Sequence, residues 1–140
     1  MMKKQVIAAF ESEFFFIKDK FEILDLLENS CPMDSETIEY LKLPTDDYNI
    51  VWHPGVYLFI GNNSVYRVGV SLTNSRWRVM QHLDACTSAN GYCIWDIDKY
   101  EDKSILLINV KEKTDSHWLL ALELFLENKF APHIPAKRKG

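Results

Sequence analysis

Between residues 55 and 71 two apolar runs face each other across a turn. Val56–Ile60 and Val65–Val70 flank Gly61-Asn62-Asn63-Ser64. Glycine and asparagine tolerate the left-handed backbone of tight turns, so this spacing predicts a β-hairpin. A hairpin demands a sheet and something to cover it, and the following sequence supplies both. Thr73 to about Ala85 is helical in pattern. Ser88-Ala89-Asn90-Gly91 reads as a loop. Tyr92–Ile97 and Ser104–Val110 read as two strands around the charged turn Asp98–Lys103. Asp115 or Ser116 is placed to cap a last helix, roughly His117–Lys129, which Pro132 and Pro135 forbid from continuing. The order hairpin, helix, strands, helix predicts an α/β (α+β) domain: a small mixed or antiparallel sheet with flanking helices.

The preceding residues have a different pattern. Val6, Phe10, Phe14, Ile17, Phe21, Leu24 and Leu27 recur at helical spacing, which predicts one helix over residues 4–29, ended by Asn29-Ser30 and Pro32. Asp34 or Ser35 is suited to cap a shorter helix through about Leu41. Leu43 to Asn49, with Pro44-Thr45-Asp46-Asp47, reads as a linker. The division expected is a helical N-terminal extension over 1–49 and a domain over 50–140.

Charge follows that division. The net charge of −4 disfavours a general nucleic-acid coat. Residues 1–49, however, carry five Lys/Arg against eleven Asp/Glu, a net −6, whereas residues 50–140 carry eleven against nine, a net +2. The chain ends in Lys137-Arg138-Lys139, equally suited to a solvated terminus and to a phosphate contact. No stretch approaches the roughly 18 apolar residues of a membrane span. Lys3 and Lys4 precede no apolar run with a small-residue cleavage site, so no secretory signal is expected. Cys31, Cys86 and Cys93 form no CxxC pair. An odd, sparse set reads as reduced thiols in a cytoplasmic protein and as no zinc site.

Two predicted helices carry residues suited to chemistry. Arg78 and His82 are four apart and share a face, and a guanidinium beside an imidazole suits a phosphate; an ordinary solvated face explains them as well. Arg76 lies nearby on another azimuth. Glu123 interrupts Trp118–Leu122 and Leu124-Phe125-Leu126. A carboxylate among apolar neighbours is exposed, paired or metal-bound, and a lone hard carboxylate suits Mg²⁺, which keeps most of its waters. Asp96 and Asp98 read as polar strand-end residues, and His53, His117 and His133 show no metal spacing.

Gly55-Val56-Tyr57 followed by Tyr66-Arg67-Val68-Gly69 resembles the hairpin of the GIY-YIG nucleases, whose pattern continues with a helix bearing Arg and His four apart, then a helix bearing Glu about nine residues before a Pro. Arg78 with His82, and Glu123 with Pro132, match those elements in type and order. The resemblance covers roughly residues 52–135. It implies that Tyr57 positions or deprotonates an attacking water, Arg78 stabilises charge on the phosphate, His82 hydrogen-bonds near the nucleophile, and Glu123 holds one Mg²⁺ or Mn²⁺. Gly55 and Gly69 would permit close backbone approach within the hairpin. Three positions depart from the pattern. Arg67 stands in place of the second tyrosine, and Tyr66 beside it replaces that hydroxyl only if the strand slips or bulges. The spacing to Arg78 is one residue long, which keeps Arg76 a rival. Ile134-Pro135 stand where the family often has Asn.

The resemblance implies a metal-dependent DNA endonuclease, with RNA open as a substrate. The alternative is a catalytically degenerate relative that binds nucleic acid or protein. The N-terminal helix, rich in Phe10, Phe14, Phe15, Phe16 and Phe21, has apolar surface for a protein partner or a homodimer.

Overall fold

The computed structural model describes residues 1–27, 32–42 and 49–136. The expected hairpin consists of β2 (Gly55–Gly61) and β3 (Ser64–Ser71), paired antiparallel. Asn62 and Asn63 at its tip both take positive φ, 52° and 54°, the backbone of a tight hairpin turn. The Asp102 carboxylate accepts the N–H groups of both, at 2.9 and 2.6 Å. The remaining strands of the sheet are β1 (Phe21–Asp25) and β6 (Ser104–Val110), and the order β1-β6-β2-β3 is antiparallel throughout. The chain is thus a mixed α+β protein with a small antiparallel sheet and helices against it.

Every residue of β2 and of β6 is buried, because both faces of the sheet are covered. Val56, Leu58, Ile60, Leu106 and Ile108 face α1 (Met2–Glu13) and α4 (Trp118–Phe130), meeting Val6, Phe10, Leu119, Leu122 and Leu126. Tyr57, Phe59, Ile105 and Leu107 face the other way. They meet Val79, Met80 and Leu83 of α3 (Ser75–Ala85) and Ile94 and Ile97 of a 3-10 helix over Ile94–Lys99. Asn74 caps α3, its side chain accepting the Trp77 N–H at 3.0 Å. Asp34 caps α2 (Ser35–Lys42) through the Thr37 N–H at 2.9 Å. No helix among the described residues is long and apolar enough to cross a membrane.

The structure corrects three sequence-based expectations. The helix expected over 4–29 ends at Glu13. Lys18–Lys20 form a 3-10 turn and Phe21–Asp25 become β1, with Phe21 opposite Val110 and Asp25 opposite Leu106. An unpaired edge on the buried β6 is costly, so strand pairing overrides a helical period that local sequence satisfies equally well. The segment over 1–27 therefore shares the sheet and the core, although its acidity sets it apart in sequence. The strand expected over Tyr92–Ile97 survives as β5 (Tyr92–Cys93), paired with β4 (Ser88–Ala89) around Asn90-Gly91. Beyond it the chain coils, because a 3-10 turn places Ile94 and Ile97 on one buried side and lets Asp96 accept the Cys93 N–H. The cap of α4 is the third correction. Lys113–Asp115 form a 3-10 turn, the Ser116 hydroxyl donates to the Lys113 carbonyl, and His117 precedes α4 without a side-chain cap. The expected helix end at Asn29-Ser30, the linker turn Pro44–Asp47 and the tail Lys137–Lys139 lie outside the described residues.

Phe10 is buried at the junction of α1, β1 and the sheet, edge-on to Phe21 at 5.3 Å. Phe10→Ala is expected to destabilise the whole protein by about 3–5 kcal/mol, read as a shift of one cooperative urea transition. An unchanged midpoint would show that the N-terminal segment is not part of the folding unit.

Candidate functional site

β3 is one of the two outer strands of the sheet, and a cleft of about 510 Å³ opens there between α3 and α4. Its lining includes Tyr57, Arg67, Gly69, Arg78 and Glu123. Residues from two strands and two helices thus converge on one cavity. Tyr57 projects from the central strand β2 beneath Gly69, its direct cross-strand partner. A Cβ at position 69 would overlap the Tyr57 ring, so only glycine leaves room for the phenol. Gly55 is required for a similar reason. A Cβ there would strike the buried Asn109 side chain, whose Oδ1 accepts the Ser75 hydroxyl at 2.7 Å and ties β6 to the start of α3.

Behind Tyr57 lies His82. Its Nε2 is 2.7 Å from the Tyr57 hydroxyl, and its Nδ1 is 2.8 Å from Thr87 Oγ1. Two tautomers satisfy this chain. In one, the phenol donates to Nε2 and Nδ1–H donates to Thr87; in the other, both bonds reverse. Burial, followed by the charges of Arg67 and Arg78, pushes the His82 pKa down to about 4, so the ring is neutral at pH 7. Burial also raises the Tyr57 pKa, and Arg78 and Arg67 oppose that rise without cancelling it. The pair is therefore a neutral phenol held by a neutral imidazole.

The two arginines differ from a third. Arg78 is exposed, lines the cleft and is held by Gln81 Oε1 at 2.9 Å. Arg76 is buried elsewhere: it donates to the Tyr40 carbonyl at 2.8 Å and lies over the Trp52 ring at 5.4 Å. Arg78, and not Arg76, is the arginine that shares the cavity with Tyr57.

The hairpin is bulged. Phe59 faces Arg67 but Ile60 faces Val65, which leaves Tyr66 as the extra residue. The bulge turns Tyr66 and Arg67 towards the same side of the sheet. Tyr66 nevertheless stays out of the cleft. It packs edge-on to Tyr92 and His133, which stack on each other at 4.2 Å, and its pKa is pushed up to about 12, chiefly by burial. Arg67 takes the cleft side, where its Nη1 donates to the Pro135 carbonyl at 3.0 Å and its buried Nε has no hydrogen-bond partner among the described residues. The segment after α4 reaches Arg67 by running along β3, with the His133 and Ile134 N–H groups donating to the Val65 and Tyr66 carbonyls.

Glu123 is 6% exposed and sits in the cleft wall between Leu120 and Leu124. One divalent cation fits these residues: Glu123 offers a hard carboxylate oxygen, and the cavity has volume for the metal's own waters. Among the described residues there is no group of three or more His, Cys, Asp or Glu side chains able to hold a metal. Sequence reasoning missed Thr87 and the leucine wall. Leu120 and Leu124 read as core in an apolar run, and Thr87 reaches His82 because Cys86 turns the chain back in a left-handed conformation. No protein-family model, curated protein or solved structure matches this chain.

The depressed pKa of His82 makes stability depend on pH. The unfolded state takes up a proton near pH 6.5 and the folded state near 4, so stability falls as pH drops through that window. The loss approaches about 3 kcal/mol, at about 1.4 kcal/mol per pKa unit. Urea unfolding at successive pH values is expected to show this slope, and His82→Asn is expected to flatten it.

Proposed function

We propose that the cleft binds a phosphodiester of DNA and hydrolyses it, as a metal-dependent endonuclease of the GIY-YIG type acting in the cytoplasm. The observation that carries this reading is the meeting of Tyr57, Arg67, Arg78 and Glu123 in one cavity with His82 bonded to the phenol.

The chemistry follows from the charge states. A phosphate entering the cleft meets two guanidinium groups, which favour the extra negative charge of a pentavalent transition state. Tyr57 keeps its proton at neutral pH, so its role is to orient a water by hydrogen bonding; it does not serve as a base with a lowered pKa. His82 fixes the phenol and, being neutral, adds no further positive charge to repel a cation. Glu123 would hold Mg²⁺ or Mn²⁺. When bound, that ion polarises the phosphate and stabilises the leaving oxygen. The same groups suit RNA.

Purified protein is expected to cut or nick DNA with Mg²⁺ or Mn²⁺ when offered plasmid, linear duplex, branched and single-stranded substrates. Glu123→Ala is expected to abolish the cleavage. Products no more abundant than those of Glu123→Ala would defeat the reading. Arg78→Ala is expected to lower kcat by about 10²–10³-fold with Tm unchanged. Arg76→Ala is expected to lower Tm through loss of its Tyr40 and Trp52 contacts.

A second reading is favoured by Arg67, which stands where the family's second tyrosine would supply a hydroxyl. In it the cleft grips nucleic acid without cutting, or the protein serves as an interaction module. Phe15 and Phe16, just beyond α1, are 58% and 97% exposed and offer apolar surface for a protein partner or second copy. DNA retention at low salt without products, or elution as a dimer that Phe16→Ser dissociates, would favour it.

A further inference from the structure

Cys86 and Cys93 meet at the open end of the small β4–β5 hairpin, with their Sγ atoms 3.2 Å apart. Both thiols are free, Cys86 exposed and Cys93 half-buried. The backbone brings them together. Cys86 ends α3 in the left-handed region, at φ 51°, and donates its N–H to the Leu83 carbonyl. The chain then runs out through β4, turns at Asn90-Gly91 and returns with Cys93 opposite Ser88. The Ile94 N–H closes the base of the loop on the Thr87 carbonyl at 3.1 Å, and Trp95 Nε1 donates to the Leu83 carbonyl at 3.0 Å. Neither sulfur lines the cleft. Thr87, the neighbour of Cys86, is however the residue that holds His82.

We propose that Cys86 and Cys93 are a redox modification site, forming a reversible intrachain disulfide with a hydroperoxide as oxidant, and that the bond clamps the Thr87–His82–Tyr57 chain. One thiolate attacks a peroxide oxygen; an S–O bond forms, the O–O bond breaks and hydroxide leaves, giving a sulfenic acid. The second sulfur attacks the sulfenic sulfur; the S–S bond forms, the S–O bond breaks and a second water is released. The two thiols are oxidised, and one hydrogen peroxide is reduced to two waters. A thiol reductant, two molecules of glutathione or one of dithiothreitol, reverses the bond by exchange through a mixed disulfide and leaves as its own disulfide.

Closing the bond needs a small approach of two sulfurs already in contact, along a loop whose base is hydrogen-bonded. The bond would fasten the returning strand to the end of α3 and restrict the unfolded chain. Asp96, whose carboxylate accepts the Cys93 N–H, is the acidic group beside the pair. The hydrogen bond to Cys93 raises the Cys86 pKa, so Cys86 rests as the thiol at neutral pH and the change of state awaits an oxidant. This inference does not rest on the nuclease reading.

The test is peroxide treatment of the full chain, followed by thiol titration and non-reducing peptide mass analysis. Titratable thiols are expected to fall from the three of the sequence to one. The chain is expected to lose the mass of two hydrogens, with peptides holding Cys86 and Cys93 linked and dithiothreitol restoring both. Cys86→Ser and Cys93→Ser each are expected to abolish the linked peptide. The oxidised protein is expected to melt at a higher Tm than the reduced, a shift absent from both variants. Three intact thiols after treatment, or a linkage through Cys31 or between two chains, would overturn the site. A linked pair with no Tm shift would overturn the clamp.

Discussion

Two strands buried on both faces, β2 and β6, set the demands that the rest of the chain meets. Each carries a full row of peptide groups into a region without water, and each must find a partner along both edges. β2 takes β3 and β6; β6 takes β2 and β1. Side chains alternate to opposite sides, so the sheet needs two coats, one from α1 and α4, the other from α3 and the 3-10 helix at Ile94–Lys99. The N-terminal strand is thus recruited by β6. The cleft lies at the other edge, where β3 meets α3 and α4, and Tyr57 of β2 reaches it from beneath Gly69.

At that edge the bulge decides which side chain faces the cavity. An unbulged strand would send Tyr66 and Arg67 to opposite sides. The extra residue brings both round, and the segment after α4 then sorts them: His133 and Tyr92 take the Tyr66 ring, and the Pro135 carbonyl takes the Arg67 head. The guanidinium of Arg67 thus finds its acceptor in the segment that follows α4, and strand and segment form one local arrangement.

Much of this was legible in sequence. The hairpin, α3 and β6 carry strong local signals: turn asparagines, a helical pattern and the apolar run Ile105–Ile108. Helical spacing alone relates Arg78 to His82; the grouping of these two with Tyr57 and Glu123 is what the resemblance implies. The misread segments fail for physical reasons. Phe21, Leu24 and Leu27 fit a helical stripe, whereas Phe21 and Ile23 fit a strand equally well, and the choice is made by β6, eighty residues away in sequence. Tyr92–Ile97 is apolar and aromatic at β-like spacing, yet i,i+3 burial of Ile94 and Ile97 serves a tight coil. Arg76 and Arg78 carry the same charge; the Tyr40 carbonyl and Trp52 ring that bury the first are tertiary facts. The Thr87–His82 bond arises from a left-handed residue, which no composition announces.

Gly69 lies over the Tyr57 ring as a cast lies over its form. The absence of a side chain at one position is shaped by the bulk of another, so the two sites cannot drift independently. A larger residue at 69 is admissible only after the ring beneath it has shrunk, and a shrunken ring leaves a hollow that invites such a residue. The order of changes therefore matters. Along one route each step is tolerable, while the opposite route passes through a collision in the middle of the sheet. Position 69 is a ratchet: while it stays glycine the phenol can remain or return, and once it is filled the way back to an aromatic hydroxyl at 57 is closed.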